Sequence, residues 1–597
     1  MTVMSVMAKE VIMDLAAIIH RSNCEFDYAL DNERVVITIK TGKDAEKVSL
    51  IHGDPFIHEL KRLPEWCGEK SEMQIYMELD RYYLWRIVLK PKYKRIQYCF
   101  EVSVGDETYI VFESKIVRPE EAGETSKQYF KFPWLNPSDV IAPPEWVRDT
   151  IWYQIMPDRF SLSSDFKNDG RFKKWADMTS PHWSDLYGGS LKGITERLPY
   201  LKKLGIGGIY MTPIFRSPSN HKYDTIDYTC IDPDFGTEDD MKELVRCAHE
   251  HGIRIMVDAV FNHSGYDFFA WKDVREKKKD SPYYDWFFIN KDEMSDWDFK
   301  RENFSTEDAR FYSFSFWSGM PKLNTNNPQV RKYFTDLSCY WAREWDIDGI
   351  RFDVGDEISH TFLRELHSSL KAVKPDIFLL GEIWNDSLGW VTSREYDSVM
   401  NYPFCGCVND FFGNEKLDTV QLMYMFNYCR SIYPEQVTRV LFNFLDTHDT
   451  QRAVDRCKNE NVLLQKLTFL LTMPGTPCIY YATEIAMHGK ETMYNRQCMP
   501  WGDISNGKYD GIISEVTSLT GIRNTFRELS EEGIDYIINE NYPRLLGYIR
   551  AGRICVYLNA GDIPADVEAK GSIIYSNLYD EGVLQPDGIV ISDLSNE

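Results

Sequence analysis

The chain has 597 residues, 43% of them hydrophobic, and a formal net charge of −24. That length calls for about two to four domains. So acidic a surface, with no evident basic patch, argues against nucleic acid and anionic membranes as partners. The charge fits a neutral substrate, and it fits plain solubility equally well.

The first ten residues, Met1 to Glu10, lack a basic region followed by a long apolar core. No stretch approaches the ~20 apolar residues of a membrane span. Thirteen cysteines are scattered without zinc-like spacing, as expected of reduced thiols. The expectation is a soluble, cytoplasmic protein.

In chain order, residues 14–125 alternate apolar and polar in short runs, such as Val35-Val36-Ile37-Thr38-Ile39, with turn residues between them. This predicts an N-terminal β-sandwich module. The Pro-rich passage 126–149 reads as a linker. From residue 150 the pattern becomes strand, loop, helix. Predicted strands cover 151–156, 206–211, 254–258, 349–353, 377–382, 398–402, 441–445 and 478–481. Helical patterns such as 238–251 and 329–344 fall between them. Eight strands so arranged predict an α/β fold, a (β/α)8 TIM barrel over 150–530. The gap after the third strand, 264–325, is rich in Trp, Phe, Tyr and Asp and predicts an inserted subdomain. The tail, 531–597, returns to short strands and predicts a C-terminal β-sandwich domain.

Several of these strands end on acids. Asp353, Glu382 and Asp449 close apolar runs, and the run at 254–263 ends with Asp258, Asn262 and His263. In a parallel barrel the strand tips converge on the catalytic face. A single acid there is more often a helix cap or a rim ion pair, but four such ends together point to chemistry. Cleaving a glycosidic bond needs a proton donor and a second carboxylate. Arg351 lies two residues before Asp353, so both side chains point the same way, and a guanidinium favours an ionised nucleophile. Glu382 is followed by Ile383 and Trp384, an apolar neighbourhood suited to a proton donor. His448 and Asp449 could bond sugar hydroxyls.

Over residues 150–510 the sequence resembles the α-amylase family, glycoside hydrolase family 13. The matching motifs are Asp258-Ala-Val-Phe-Asn-His263, Gly349-Ile-Arg-Phe-Asp353, Gly381-Glu-Ile-Trp384 and His448-Asp449. The resemblance implies that Asp353 is the nucleophile, Glu382 the acid/base and Asp449 the transition-state stabiliser. It implies that His263 and His448 contact the sugar, that Arg351 positions the nucleophile, and that Tyr223 stacks beneath the sugar. His221, Trp384 and Arg452 are further substrate-binding candidates, with Asp258 and Asn262 as supports.

Met320-Pro-Lys-Leu-Asn324 is similar to the signature of the neopullulanase, cyclomaltodextrinase and maltogenic amylase subgroup. Ala17-Ile-Ile-His-Arg and His52-Gly-Asp-Pro55 resemble that subgroup's N-terminal, carbohydrate-binding-like module. The resemblance implies a homodimer formed through this module. It also implies a retaining hydrolase of α-1,4 links in cyclodextrins, pullulan and maltooligosaccharides. The alternatives are a transglycosylase on the same scaffold and a non-catalytic glucan-binding protein.

Three positions depart from the pattern. Asp356 stands where the subgroup usually has Asn, and Tyr480-Tyr-Ala-Thr-Glu484 replaces Tyr-Tyr-Gly-Asp-Glu. Asp165, Asn168 and Asp169 read either as a structural Ca2+ site or as an Asx-rich turn, with Ser190 where an acidic ligand is common. The chemistry itself requires no cofactor.

Overall fold

The computed structural model describes residues 13–123, 127–177, 181–290, 305–413, 415–490 and 493–595. The chain divides into two compact units. One comprises the residues up to Ala142 with Val420–Gln436; the other comprises Pro143–Thr419 with Val437–Glu597. Among the described residues no helix is long and apolar enough to cross a membrane.

The first unit is an antiparallel β-sandwich. One sheet runs Asp27–Ala29, Val35–Gly42, Tyr82–Leu89, Gln74–Glu78. The other runs Glu69–Glu72, Lys47–Gly53, Ile96–Val104, Glu107–Phe112, Lys115–Val117. Alternation sends Val35, Ile37 and Ile39 of one sheet, and Val48, Leu50, Phe100 and Val102 of the other, into a shared core.

Phe130–Phe132 also pairs with Ile96–Tyr98, so the sandwich extends past residue 125, where the sequence reading ended it. Three residues are too short a run for alternation to reveal a strand. Val420–Gln436, read from sequence as part of the barrel, belongs to this unit as well. The Gln436 amide donates to the Ala29 and Leu30 carbonyls at 2.8 Å, and Glu435 pairs with Arg86.

The second unit holds eight parallel strands: β1 (Trp152–Ile155), β2 (Gly208–Met211), β3 (Arg254–Ala259), β4 (Gly349–Phe352), β5 (Phe378–Gly381), β6 (Ser398–Val399), β7 (Phe442–Phe444) and β8 (Thr476–Tyr480). Their order is β6-β5-β4-β3-β2-β1-β8-β7. A parallel bridge between Met400 and Phe442 closes the ring, so this is the predicted barrel. Tyr210, Met256, Phe378, Leu380, Phe442, Phe444 and Cys478 pack its interior. Gly208 lies under the Trp152 ring, which a Cβ would approach to 2.6 Å.

Helix Glu238–Glu250 starts with a Thr237/Asp240 capping box and buries Met241, Leu244, Val245 and Ala248. Helix Pro328–Glu344 is capped by Asn327 and buries Val330, Phe334 and Trp341.

Between β3 and helix Pro328–Glu344 the inserted segment is knit by isolated bridges, His263 to Lys322 and Phe287 to Leu323. Trp271 packs on Phe287 and Phe311, each with centroids 4.7 Å apart. The C-terminal strands form one six-stranded antiparallel sheet, with Val583–Asp593 pairing on both sides. Arg550, fully buried, fastens it to helix Glu460–Thr472 by donating to the Thr472 carbonyl at 2.8 Å.

The side chains of Arg86 and Glu435 are only 11% and 12% exposed. Glu435→Leu alone should destabilise by about 3 kcal/mol, because a buried guanidinium loses its partner. Adding Arg86→Met should restore most of that. Urea unfolding of the single and double variants measures both, and an unchanged single variant would count against a structural role for the pair.

Candidate active site

The site is assembled around Arg351 on β4. Arg351 lies opposite Asp258 of β3 in the strand register, and its guanidinium is fully buried. Nη1 donates to both Asp258 carboxylate oxygens at 2.9 Å and to Asp353 Oδ1 at 2.9 Å. Nη2 lies 2.7 Å from Glu382 Oε2. Asp353 and Glu382 each stand one residue past a strand end, which brings both to the rim. Three carboxylates thus share one cation.

Asp258 has no exposure. It also accepts from the Tyr210 and Tyr223 hydroxyls, at 2.8 and 2.9 Å. Glu382 Oε2 accepts from the Val354 amide at 3.0 Å. Its Oε1 lies 3.2 Å from the Tyr402 hydroxyl and 3.3 Å from Trp384 Nε1. Trp384, 51% exposed, stacks on Tyr402 with centroids 3.8 Å apart.

A cavity of about 540 Å³ opens over these groups. Asp353, Glu382, Asp449, Tyr223, His221, His263 and Trp384 all line it. The Tyr223 and His448 rings are parallel within 2°, centroids 5.4 Å apart. With the Gln154 amide donating to His448 Nδ1 at 2.8 Å, the ring proton sits on Nε2. That nitrogen faces the Tyr223 hydroxyl at 2.8 Å and Asp449 Oδ2 at 3.0 Å. His263 Nε2 faces the Tyr223 carbonyl at 3.2 Å.

Burial pushes His448 well below its ordinary range, His221 down to about 4 and His263 down to about 3. All three are therefore neutral donors near neutral pH. Burial raises the Asp353 carboxyl well above the usual carboxylate range; Arg351 opposes the rise, and Glu382 and Asp258 add to it. The expected pull of Arg351 toward the ionised form is there, but burial outweighs it. One guanidinium divided among three acids does not offset desolvation.

Two further expectations need restating. Arg452 does not line the cavity. It is fully buried, donates to the Asn495 carbonyl at 2.8 Å and to the Tyr481 carbonyl, and stacks on Tyr480 at 4.0 Å. It braces the loops behind the site.

The arginine that reaches the site is Arg496. It donates to Asp449 Oδ1 at 3.1 Å and to the His448 carbonyl at 2.9 Å, and its guanidinium lies 5.2 Å from the Trp183 ring centre. Neither Arg496 nor Trp183 carries a sequence signal, since each sits on a loop far along the chain from the acid it serves.

Asp165 pairs with Lys192, and Asp169 with Arg171 at 2.8 Å. Asn168 accepts from Gly170 N and donates to the Phe172 carbonyl, both at 2.8 Å. Ser190 caps helix Leu191–Lys203. With two acids spent on cations, this set does not fit calcium, which requires six to eight oxygens. Its geometry is that of the Asx-rich turn. Among the described residues no three acidic, His or Cys groups gather as a metal site.

The segment Met320–Asn324 gains a physical role. Lys322 reaches the Asn262 side chain and Glu357 Oε2, the latter at 2.7 Å, tying the insert to the ends of β3 and β4. Asn262 is thereby a support. Phe314 from the same insert stacks on His263 at 4.9 Å and lines the cavity with Met320 and Asp356. Ala482 holds φ 69°, a left-handed conformation that Gly would adopt without strain.

Comparison with known proteins places this arrangement. The family described as alpha amylase, catalytic domain, matches residues 154–515, and the alpha amylase N-terminal ig-like domain matches residues 13–136. A cyclomaltodextrinase of Geobacillus thermopakistaniensis is 37% identical, with 95% of each chain covered. An intracellular maltogenic amylase of Bacillus subtilis is 38% identical over 82% of this chain and 81% of its own. A solved structure titled cyclomaltodextrinase superposes with a TM-score of 0.85 at 32% identity, covering 97% of this chain and 100% of that one.

The raised Asp353 carboxyl has a consequence for stability. In the pH window between its unfolded value, ~3.9, and its raised folded value, the native state holds a proton that the unfolded chain releases. Stability therefore falls as pH rises through that window. Asp353→Asn removes the dependence, so the variant should melt above the wild type at pH 7, with the gap closing toward pH 4. A variant melting at or below the wild type at pH 7 would refute the argument.

Proposed function

The chain belongs to the α-amylase family of glycoside hydrolases, and we propose that it cleaves α-1,4-glucosidic bonds in cyclodextrins, pullulan and maltooligosaccharides with retention. The observation that carries this reading is the forked contact of Arg351 with Asp353 and Glu382 at the floor of an open cavity. It keeps an attacking carboxylate and a proton donor within reach of one sugar ring.

Asp353 attacks the anomeric carbon while Glu382 protonates the departing oxygen. Water activated by the same Glu382 then releases the sugar from Asp353. Tyr223 supplies an aromatic face, and neutral His263 and His448 offer hydroxyls an N–H by exchanging their contacts with the Tyr223 carbonyl and with the Tyr223 hydroxyl and Asp449. Asp449, held by Arg496 and His448, faces the ring that gains positive charge. No step passes through a metal or a cofactor.

The wider reading is a cytoplasmic enzyme that acts on neutral glucans, with neither nucleic acid nor membrane as a partner. The absence of a membrane-length helix among the described residues is compatible with it. We also propose that the enzyme is a homodimer formed through the N-terminal module. Phe56, Leu60, Leu63 and Trp134 there are 51%, 69%, 40% and 49% exposed, and such exposed apolar surface suits a partner.

One observation favours transfer as a second activity. Asp356 is exposed at the cavity wall, where it could hold an acceptor sugar in place of water.

Asp353→Asn should lower turnover of β-cyclodextrin by on the order of 10⁴-fold while the fold persists by circular dichroism; a variant keeping most activity refutes the nucleophile. Because Asp353 must be ionised to attack, kcat/KM should fall as pH drops through its raised value. The acid limb therefore lies above ~4, and a limb at or below that value contradicts the geometry. Maltotriose products resolved by chromatography separate hydrolysis from transfer, since only transfer makes longer oligomers.

A further inference from the structure

Immediately after the nucleophile the backbone does something unusual for its residue type. Val354 adopts φ 47° and ψ 52°, a left-handed conformation that a β-branched side chain occupies only against steric resistance. The neighbouring contacts hold it there. Gly355 N donates to the Glu382 carbonyl at 2.9 Å, and Glu382 N donates to the Phe352 carbonyl at 3.0 Å. The Tyr396 hydroxyl donates to the Gly355 carbonyl at 3.0 Å. A Cβ on Gly355 would come within 2.9 Å of that hydroxyl and 3.2 Å of Glu382 N, so the loop after β4 is clamped against the end of β5. Within this clamped loop the Val354 N–H points at Glu382 Oε2, 3.0 Å away.

We propose that Val354 is a positioning residue: in the loop clamped against β5 its backbone presents an N–H that assigns the two oxygens of Glu382 different tasks, with Oε1 carrying the catalytic proton and Oε2 receiving the charge left when it departs. The inference rests on Glu382 being the proton donor, as proposed above.

Oε2 faces an amide N–H and the Arg351 guanidinium at 2.7 Å. The amide is a donor that cannot turn to accept, and the guanidinium is a fixed positive charge, so both favour the unprotonated oxygen at Oε2. Oε1 also meets a donor that cannot accept, Trp384 Nε1–H, but only at 3.3 Å, and its other contact, the Tyr402 hydroxyl at 3.2 Å, can rotate to accept.

In the first step the proton passes from Oε1 to the glycosidic oxygen as the bond from that oxygen to the anomeric carbon breaks and the bond to Asp353 forms. The negative charge then spreads onto Oε2, where the Val354 amide already points and the Arg351 cation already lies within 2.7 Å. This is the logic of an oxyanion hole, applied to the conjugate base of a general acid.

The test removes that one hydrogen. The Val354 amide is replaced by an ester through incorporation of the α-hydroxy analogue of valine, which keeps the side chain and the carbonyl. Two substrates are compared: maltotriose, whose sugar leaving group needs the proton, and α-maltosyl fluoride, whose fluoride departs with little help, followed as the burst of fluoride release. On maltotriose kcat/KM should fall roughly tenfold or more, carried by kcat with KM little changed, while the fluoride burst stays within about twofold.

Equal losses on both substrates would mean a merely structural role, and no loss on maltotriose would mean an idle N–H; either overturns the proposal. Val354→Gly keeps the N–H but frees the backbone, so it should lose less on maltotriose than the ester does. A glycine variant as impaired as the ester would move the effect to the side chain and also overturn the proposal. Glu382→Ala stands as the separate control. If it keeps maltotriose turnover, the reading of Glu382 as proton donor fails, whatever the ester does.

Discussion

The rest of the site depends on a single buried guanidinium. Arg351 has no exposure, and it meets Asp258, Asp353 and Glu382 at once. Burying three carboxylates without it would be prohibitive, because a desolvated charge must be paired or neutralised. With it, the cluster is still one cation for three acids, so the Asp353 carboxyl rises. That residual imbalance means the three acids do not all ionise together, which is the condition for one to hold a proton beside an ionised partner. The stability sacrificed at Asp353 is the expected companion of such an arrangement.

Around this centre the protein uses neutral donors rather than further cations. His448, His263 and His221 are kept uncharged by burial, and Gln154 orients His448 from β1. Among the described residues only Arg496 brings another positive charge to the cavity wall, where it is matched to Asp449. The inserted segment is pinned by Lys322 to residues beyond β3 and β4. The wall carrying Phe314 is therefore fastened to the same strand ends that carry the acids, and cavity shape and acid placement are set together.

Much of this was legible in the residues. Short apolar runs ending in Asp or Glu, with helical patterns between them, read as buried parallel strands with acids at their tips. The eight predicted runs match the eight strands to within two residues at most ends. Asp258, Arg351 and Asp353 fell together because alternation on adjacent strands fixes which side chains face inward. The short strand Phe130–Phe132 and the transfer of Val420–Gln436 to the N-terminal unit were not legible. Their partners lie at distances along the chain that local pattern cannot encode.

The sequence by itself determined the barrel, the order of its strands and the identity of the acids at their ends, because hydrophobic period and strand-end position are local properties. Only the tertiary structure decided which of two arginines serves the cavity. Arg452 and Arg496 have the same chemistry, and one is turned onto backbone carbonyls beneath the loops while the other is turned onto Asp449. It alone resolved Asp165, Asn168 and Asp169 into a turn, because Lys192 and Arg171 occupy the acids. It alone also set the left-handed turn at Val354, since that conformation runs against the preference of its own side chain and is imposed by contacts from β5 and Tyr396.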